Sequence, residues 1–194
     1  MKESRKTKKK TARPEETVLP APDLLARFRA YADGGQGRWL IPVLVVFATL
    51  LVGSWTFDSK LSLSGDNAEF ITLARSLVQG EGLTHINSPD PQPATKYPFG
   101  FPLMLAPMEL FFPGEWTPMK AWVLVLFSLG MGALYMLVRD KAGTLPALAV
   151  VALSLAAGQS YLTTGPEGHL FGPLLLHFSH QVMSEAPFLA VSLV

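Results

Sequence analysis

The side chains best suited to chemistry lie in one polar stretch, residues 58–116, between long apolar segments. This stretch holds seven Asp and Glu residues against three Lys and Arg residues. Asp66 stands where an apolar-periodic segment begins, and a partly desolvated carboxylate there can orient or deprotonate a hydroxyl group. Lys96 follows a proline-rich run and can hold a phosphate group as a point charge. The other predicted substrate-binding residues are Glu69, Arg75, His85 and Tyr97.

The apolar spacing of residues 66–79 predicts an amphipathic helix that stops at Gly80. Asp66 and Glu69, three positions apart, match a capping box, in which carboxylates accept hydrogen bonds from free backbone N–H groups. Asp66 therefore has two possible roles, as a helix cap or as a catalytic group, and one carboxylate can serve both.

Three uncharged stretches predict membrane-spanning helices, each long enough to cross about 30 Å of hydrocarbon. They are Trp39–Phe57, Ala121–Val138 and Leu145–Thr164. Gly100–Phe112 is too short and too rich in proline, so an in-plane or re-entrant helix is expected there. The sequence thus predicts an all-α, polytopic transmembrane protein with a large external loop that contains membrane-lying helices.

Basic residues set the predicted topology, since ten of the sixteen Lys and Arg residues lie in residues 1–38. We expect this segment to be a disordered cytoplasmic tail that contacts anionic lipid rather than nucleic acid. Residues 39–194 are then the membrane domain, in the plasma or inner membrane. Its predicted spans are about 39–57, 117–138 and 145–164, with an incomplete one from about 186 and external loops at 58–116 and 165–185. A helix that stops inside the bilayer indicates the N-terminal part of a larger protein.

This topology places Glu185 on the same side of the membrane as Asp66. His169, His177 and His180 precede it and invite a metal interpretation. No HExxH or comparable signature accompanies them, so the metal ligands stay unknown from the sequence.

Several short motifs follow one another in an order that resembles a known superfamily. They are Asp66 at a helix start, Ala74–Leu77, Gly80–Gly82, Tyr97–Leu103 (Tyr-Pro-Phe-Gly-Phe-Pro-Leu) and Ser184–Phe188 (Ser-Glu-Ala-Pro-Phe). Residues 39–194 resemble the N-terminal part of GT-C integral-membrane glycosyltransferases, which include protein O-mannosyltransferases, the aminoarabinose lipid A transferase and rhizobial lipopolysaccharide glycosyltransferases. The chain departs from the family pattern at Phe99, where a second proline is usual, and in its longer, His-rich Gly165–Met183 segment.

The resemblance implies transfer of a sugar from a polyprenyl-phosphate donor to a lipid, glycan or protein acceptor on the extracytoplasmic side. Asp66 would position or deprotonate the acceptor, and Lys96 would balance the donor phosphate. Glu185 would assist or help to hold a divalent cation, Mg²⁺ or Mn²⁺, which some members of the superfamily use.

Two other classes of protein compete with this interpretation. A transporter places polar groups in broken spans near the bilayer midplane, whereas here the acids lie in loops. A non-catalytic membrane subunit would use the external loop to dock a partner, and the sequence does not separate it from the enzyme.

Overall fold

A computed structural model of the protein describes residues 23–61, 66–156, 159–162, 170–173, 182 and 192. Helices dominate this part of the chain, and one short antiparallel pair of strands accompanies them. The helices are α1 (Leu24–Asp33), α2 (Gly37–Trp55), α3 (Asn67–Val78), α4 (Gly100–Phe111), α5 (Trp116–Ala142) and α6 (Thr144–Ala156). The strands are β1 (Gln159–Leu162) and β2 (Leu170–Pro173), with Gln159 opposite Pro173.

The core forms where α2 packs along α5, because each helix buries a ridge of residues spaced four apart. Such ridges fit between the side chains of a neighbouring helix and bring the two helices into close contact. On α2 the buried ridge consists of Gly37, Ile41, Val45, Thr49 and Gly53. On α5 the side chain of Leu124 lies against Gly53, and Gly132 lies against Val46, so the row that contains Leu124 and Gly132 meets α2.

The surface of α2 that faces away from α5 is apolar and open. Trp39, Phe47 and Trp55 are exposed there, Trp55 by 91%. Together α2 and α5 are the two helices of the described residues that are long and apolar enough to cross a membrane, by length and composition. They match the first two predicted spans.

The two long helices run antiparallel. At one end, which we call the loop end, the Trp116 indole nitrogen donates a hydrogen bond of 3.0 Å to the carbonyl of Ser59. At the other, which we call the basic end, Arg139 donates one of 2.8 Å to the carbonyl of Arg38. The chain between α2 and α5 therefore leaves and returns at the same end, which agrees with the prediction that Gly100–Phe112 does not cross.

The predicted third span differs from the structure. Residues 145–164 were expected to form one helix, but α6 ends at Ala156 and Gln159–Leu162 form a strand. The prediction relied on the absence of charge, which does not distinguish helix from strand. Gly158 between them is a poor helix former, and the partner strand supplies the backbone hydrogen bonds instead.

Within residues 1–38, for which the sequence predicts disorder, α1 occupies Leu24–Asp33. Asp23 caps this helix by accepting a hydrogen bond of 3.1 Å from the backbone N–H of Leu25. Although the segment is basic, its apolar residues recur at helical spacing, which together with the Asp23 cap favours a helix. Residues 1–22 lie outside the described part of the chain.

The close approach of α2 and α5 depends on Gly132. A Cβ atom at this position would lie 2.6 Å from Cγ2 of Val46, a stiff β-branched side chain. At Gly100 on α4, by contrast, nothing lies within 4 Å of an added Cβ atom.

We expect Gly132→Ala to lower the free energy of unfolding by about 1–3 kcal/mol, because the added methyl group forces the helices apart. Thermal unfolding of the detergent-solubilised protein measures this effect, with Gly100→Ala as the matched control that keeps wild-type stability. Equal melting temperatures for Gly132→Ala and wild type would contradict the packing.

Candidate functional site

Three predicted site residues meet at the loop end: Asp66, Lys96 and Tyr97. The Tyr97 hydroxyl donates a hydrogen bond of 2.7 Å to Oδ1 of Asp66. The Lys96 ammonium donates one of 2.8 Å to the Tyr97 hydroxyl oxygen and lies 3.5 Å from the same carboxylate oxygen. Both charged side chains stay accessible, with 42% of Asp66 and 71% of Lys96 exposed. The result is an open cluster, which we call the acid–phenol–amine cluster.

The packing of α3 against α4 fixes the tyrosine in this cluster. Phe70 on α3 and Phe101 on α4 are both buried, and their ring centroids lie 4.8 Å apart in an edge-to-face contact. Phe70 also meets the Tyr97 ring edge to face at 5.0 Å. Aromatic pairs favour this geometry, so the ring is held with its hydroxyl toward Asp66.

The structure separates the two roles that the sequence left open for Asp66. Its backbone carbonyl accepts a hydrogen bond of 3.1 Å from the N–H of Phe70, as a residue before a helix does. Its side chain makes no capping hydrogen bond, although it stands at the N-cap of α3. The carboxylate is directed to Tyr97 and Lys96 instead, so the predicted capping box is wrong for Asp66.

Hydrogen bonding has a larger effect than desolvation on the pKa of Asp66. The hydrogen bond from the Tyr97 hydroxyl has the largest effect and holds the pKa of this carboxyl below its ordinary value. Desolvation opposes it with a smaller effect, and the Lys96 ammonium also lowers the pKa. This differs from the expectation of a partly desolvated carboxylate. Asp66 is therefore an ionised hydrogen-bond acceptor in this structure and a weaker base than the sequence implied.

The same contacts act on the other two members of the cluster. The hydrogen bond to Tyr97 raises the pKa of the Lys96 ammonium, and the charge of Asp66 also raises it. For Tyr97 the hydrogen bond from Lys96 lowers the pKa, but the hydrogen bond to Asp66, desolvation and the Asp66 charge outweigh it and raise the pKa overall. The cluster thus favours a positive amine, a neutral phenol and a negative carboxylate.

Glu69 and His85 form a second pair one helical turn further along α3. Nδ1 of His85 lies 3.0 Å from Oε2 of Glu69, close enough for an ion pair when the imidazole is protonated. The loop that carries His85 is tied to α3 by Ser76, whose hydroxyl donates a hydrogen bond of 2.8 Å to the carbonyl of Gly82. The pair borders the acid–phenol–amine cluster and leaves both side chains partly exposed.

Arg75 is turned toward α4 rather than toward the cluster. Its Nε donates a hydrogen bond of 2.8 Å to Oε1 of Glu109, whose side chain is only 5% exposed. The backbone N–H of Gly114 also donates to both Glu109 oxygens, at 3.2 and 3.3 Å. Glu109 is not among the predicted site residues, although a lone acid in an apolar helix is a signal that a buried partner exists.

Asn67, directly after Asp66, is a further residue that the sequence analysis missed. It is buried at the start of α3, and its Oδ1 accepts a hydrogen bond of 2.7 Å from the backbone N–H of Val182. This contact brings the second predicted external segment to the start of α3. Glu185 follows Val182 by three positions in the sequence but lies outside the described residues, as do His169, His177 and His180.

Within the part of the chain that the structure describes, no group of three or more His, Asp or Glu side chains is placed to hold a metal ion. The divalent cation that the resemblance left open is therefore untested. Comparisons of this chain with protein-family models, curated proteins and solved structures find no match.

The arrangement can bind an anion and a hydroxyl group side by side. Lys96 is accessible and cationic, as phosphate binding requires, and Asp66 presents a carboxylate that can accept a hydrogen bond from an alcohol. Tyr97 lies between them and couples their charges.

We expect Tyr97→Phe to raise the midpoint of the Asp66 titration, because it removes the hydrogen bond that most favours the carboxylate. The depressed pKa means that this contact stabilises the folded state above the ordinary carboxyl pKa of 3.8 and is lost as the pH falls through the lower folded-state value. Carbon-13 NMR of labelled aspartate in micelles measures the midpoint. Tyr31→Phe, at the basic end, is the control that leaves it unchanged; an unshifted midpoint in Tyr97→Phe would refute the contact.

Arg75→Met is expected to destabilise the protein by about 1–3 kcal/mol, less than for a fully buried pair because Arg75 is partly exposed. The loss arises because a buried Glu109 carboxylate remains without its cation. Thermal unfolding should show that the double variant with Glu109→Gln recovers part of the loss, since a neutral amide needs no cation. Equal losses in both variants would mean that the ion pair itself contributes nothing.

Proposed function

We propose that this protein is an integral-membrane glycosyltransferase of the GT-C type. It would transfer a sugar from a polyprenyl-phosphate donor to an acceptor hydroxyl on the extracytoplasmic side of the plasma or inner membrane. The observation that carries the proposal is the acid–phenol–amine cluster of Asp66, Tyr97 and Lys96, which joins a carboxylate and an exposed cation at the loop end. Asp66 is separated in the chain by 30 positions from Lys96 and by 31 from Tyr97.

The surface of the long helices supports the membrane part of the proposal. The outward face of α2 exposes a row of large apolar side chains, which is costly in water and favourable in lipid. Exposed Trp39 and Trp55 stand near its two ends, about 24 Å apart along the helix axis, where aromatic residues prefer the two membrane interfaces. Arg38, Arg139 and Lys141 at the basic end favour a cytoplasmic location for that end.

The proposed reaction uses the two charged groups of the cluster for different substrates. The acceptor oxygen attacks the anomeric carbon of the sugar as the bond from that carbon to the phosphate oxygen breaks. Asp66 accepts the proton of the acceptor hydroxyl, and polyprenyl phosphate leaves with the electron pair of the broken bond. Lys96 stabilises the negative charge that grows on the leaving phosphate.

Donor binding would also change Asp66. In the structure Lys96 is shared between Tyr97 and Asp66, and its contact with Asp66 is long at 3.5 Å. When the donor phosphate draws the ammonium away, the carboxylate loses a neighbouring positive charge, and its pKa rises. Asp66 would then become a better base only while a donor is present.

The second external segment would complete the site. The hydrogen bond from the Val182 N–H to Asn67 supports this, because Asn67 is adjacent to Asp66 and Val182 precedes Glu185 by three positions. Glu185, with or without Mg²⁺ or Mn²⁺, is the proposed partner of Asp66 on the acceptor or the donor phosphate.

Transfer from labelled polyprenyl-phosphate sugars, assayed in membranes that contain the protein, tests the proposal. We expect Asp66→Asn and Lys96→Met each to lower the rate by at least about 100-fold, because each removes a group that acts on the reacting atoms. Tyr97→Phe should lower it by about 10-fold, because Asp66 and Lys96 lose the hydroxyl group that holds them in position.

Matched controls come from the same loop. Asp90→Asn and Lys60→Met change an exposed acid and an exposed cation outside the cluster, and both should keep wild-type transfer at equal expression. If Asp66→Asn transfers sugar at the wild-type rate, the site assignment is wrong. If the wild-type protein transfers none of the donors, a transporter or a docking subunit becomes the better explanation.

A further inference from the structure

Helix α1 carries an apolar stripe that no described part of the protein covers. Leu24, Phe28 and Tyr31 lie on one side of this helix at spacings of four and three, and all three are exposed, Leu24 by 76%. Ala26 and Ala30 lie on the opposite side, where they are also exposed but carry only a methyl group each. The helix is therefore amphipathic, and its larger apolar side is not covered by the described part of the protein.

Contacts with two neighbouring segments hold α1 at the basic end in a fixed orientation. Asp33 at its last turn accepts a hydrogen bond of 2.6 Å from the hydroxyl of Thr144, the first residue of α6. Ala32 is buried, and a Cβ atom at Gly37 would lie 2.1 Å from the carbonyl oxygen of Tyr31. Only residues 34–36 separate α1 from α2, so the stripe is presented where the first long apolar helix begins.

The charges around the stripe indicate what covers it. Leu25, which is 47% exposed, extends the stripe on one side. Arg29 follows Leu25 around the helix. Arg27 follows Tyr31 on the other side, so long cationic side chains stand where they can reach lipid phosphates. The preceding residues 1–22 add seven Lys and Arg residues against three Asp and Glu residues. A basic helix with one apolar side, joined to the end of a membrane-length helix, has the features of a segment that lies in an anionic bilayer surface.

We propose that α1 is an interfacial helix that inserts Leu24, Phe28 and Tyr31 into an anionic phospholipid leaflet at the basic end. The inference depends on the membrane embedding of α2 and α5 in the proposed function, but not on glycosyl transfer. The occupant of the stripe is thus lipid, and neither a second copy of this chain nor another protein.

The absence of cysteine from the sequence allows each position to be probed with a single spin label. Leu24→Cys and Phe28→Cys report on the stripe, and Ala26→Cys and Ala30→Cys report on the opposite side of α1. The labelled proteins are reconstituted in vesicles of phosphatidylcholine with phosphatidylglycerol, and the accessibility of each label to oxygen and to a water-soluble nickel complex is measured. We expect the stripe labels to lose access to nickel and gain access to oxygen, while the opposite labels stay in water.

A second pair of samples tests the contribution of charge. Arg27→Gln with Arg29→Gln should return the stripe labels toward water in vesicles that contain phosphatidylglycerol. Nickel access that is equal on both sides of α1 would overturn the inference, as would dipolar broadening between stripe labels, which would reveal a second copy. Carbonate extraction of the same vesicles separates the two proposals: an extractable protein refutes the embedding, whereas a retained protein with water-exposed stripe labels refutes only the role of α1.

Discussion

The packing of α2 against α5 is the constraint on which the rest of the structure depends. Each helix buries a ridge with a four-residue spacing, and Gly132 lets the two backbones approach closely. Because the helices run antiparallel, the chain between them must begin and end at the loop end. That requirement confines the polar residues of this connection to one end of the molecule and concentrates most of the predicted site residues there.

The acid–phenol–amine cluster shows how an apolar contact can organise charged groups. Phe70 is buried between α3 and α4 and touches the rings of both Phe101 and Tyr97. The hydrophobic contact sets the position of the tyrosine, and the hydrogen bond from the tyrosine hydroxyl then lowers the pKa of the Asp66 carboxyl. Phe70 has an apolar side chain, but by placing the Tyr97 ring it influences the pKa of Asp66.

The sequence predicted the elements that depend on local pattern. Length and lack of charge indicated α2 and α5, and periodicity indicated α3 to within about one residue. Asp66, Lys96 and Tyr97 were selected by residue type and position, but their direct contact depends on how the proline-rich segment folds back over α3. The length of α6, the pairing of β1 with β2 and the Arg75–Glu109 ion pair depend on partners distant in sequence, which composition cannot show.

Lys120 attaches the first residues of the loop end to α5. It is buried one turn into α5, and its ammonium donates hydrogen bonds to the carbonyl oxygens of Asp58 and Lys60 just beyond α2. A buried cation needs such acceptors, and the chain that leaves a helix has free carbonyls to offer. On the other side of the loop, the Trp122 indole nitrogen donates a hydrogen bond of 3.0 Å to the carbonyl of Met104 on α4. Since both attachments are made to α5, this helix determines where α3, α4 and the cluster between them lie.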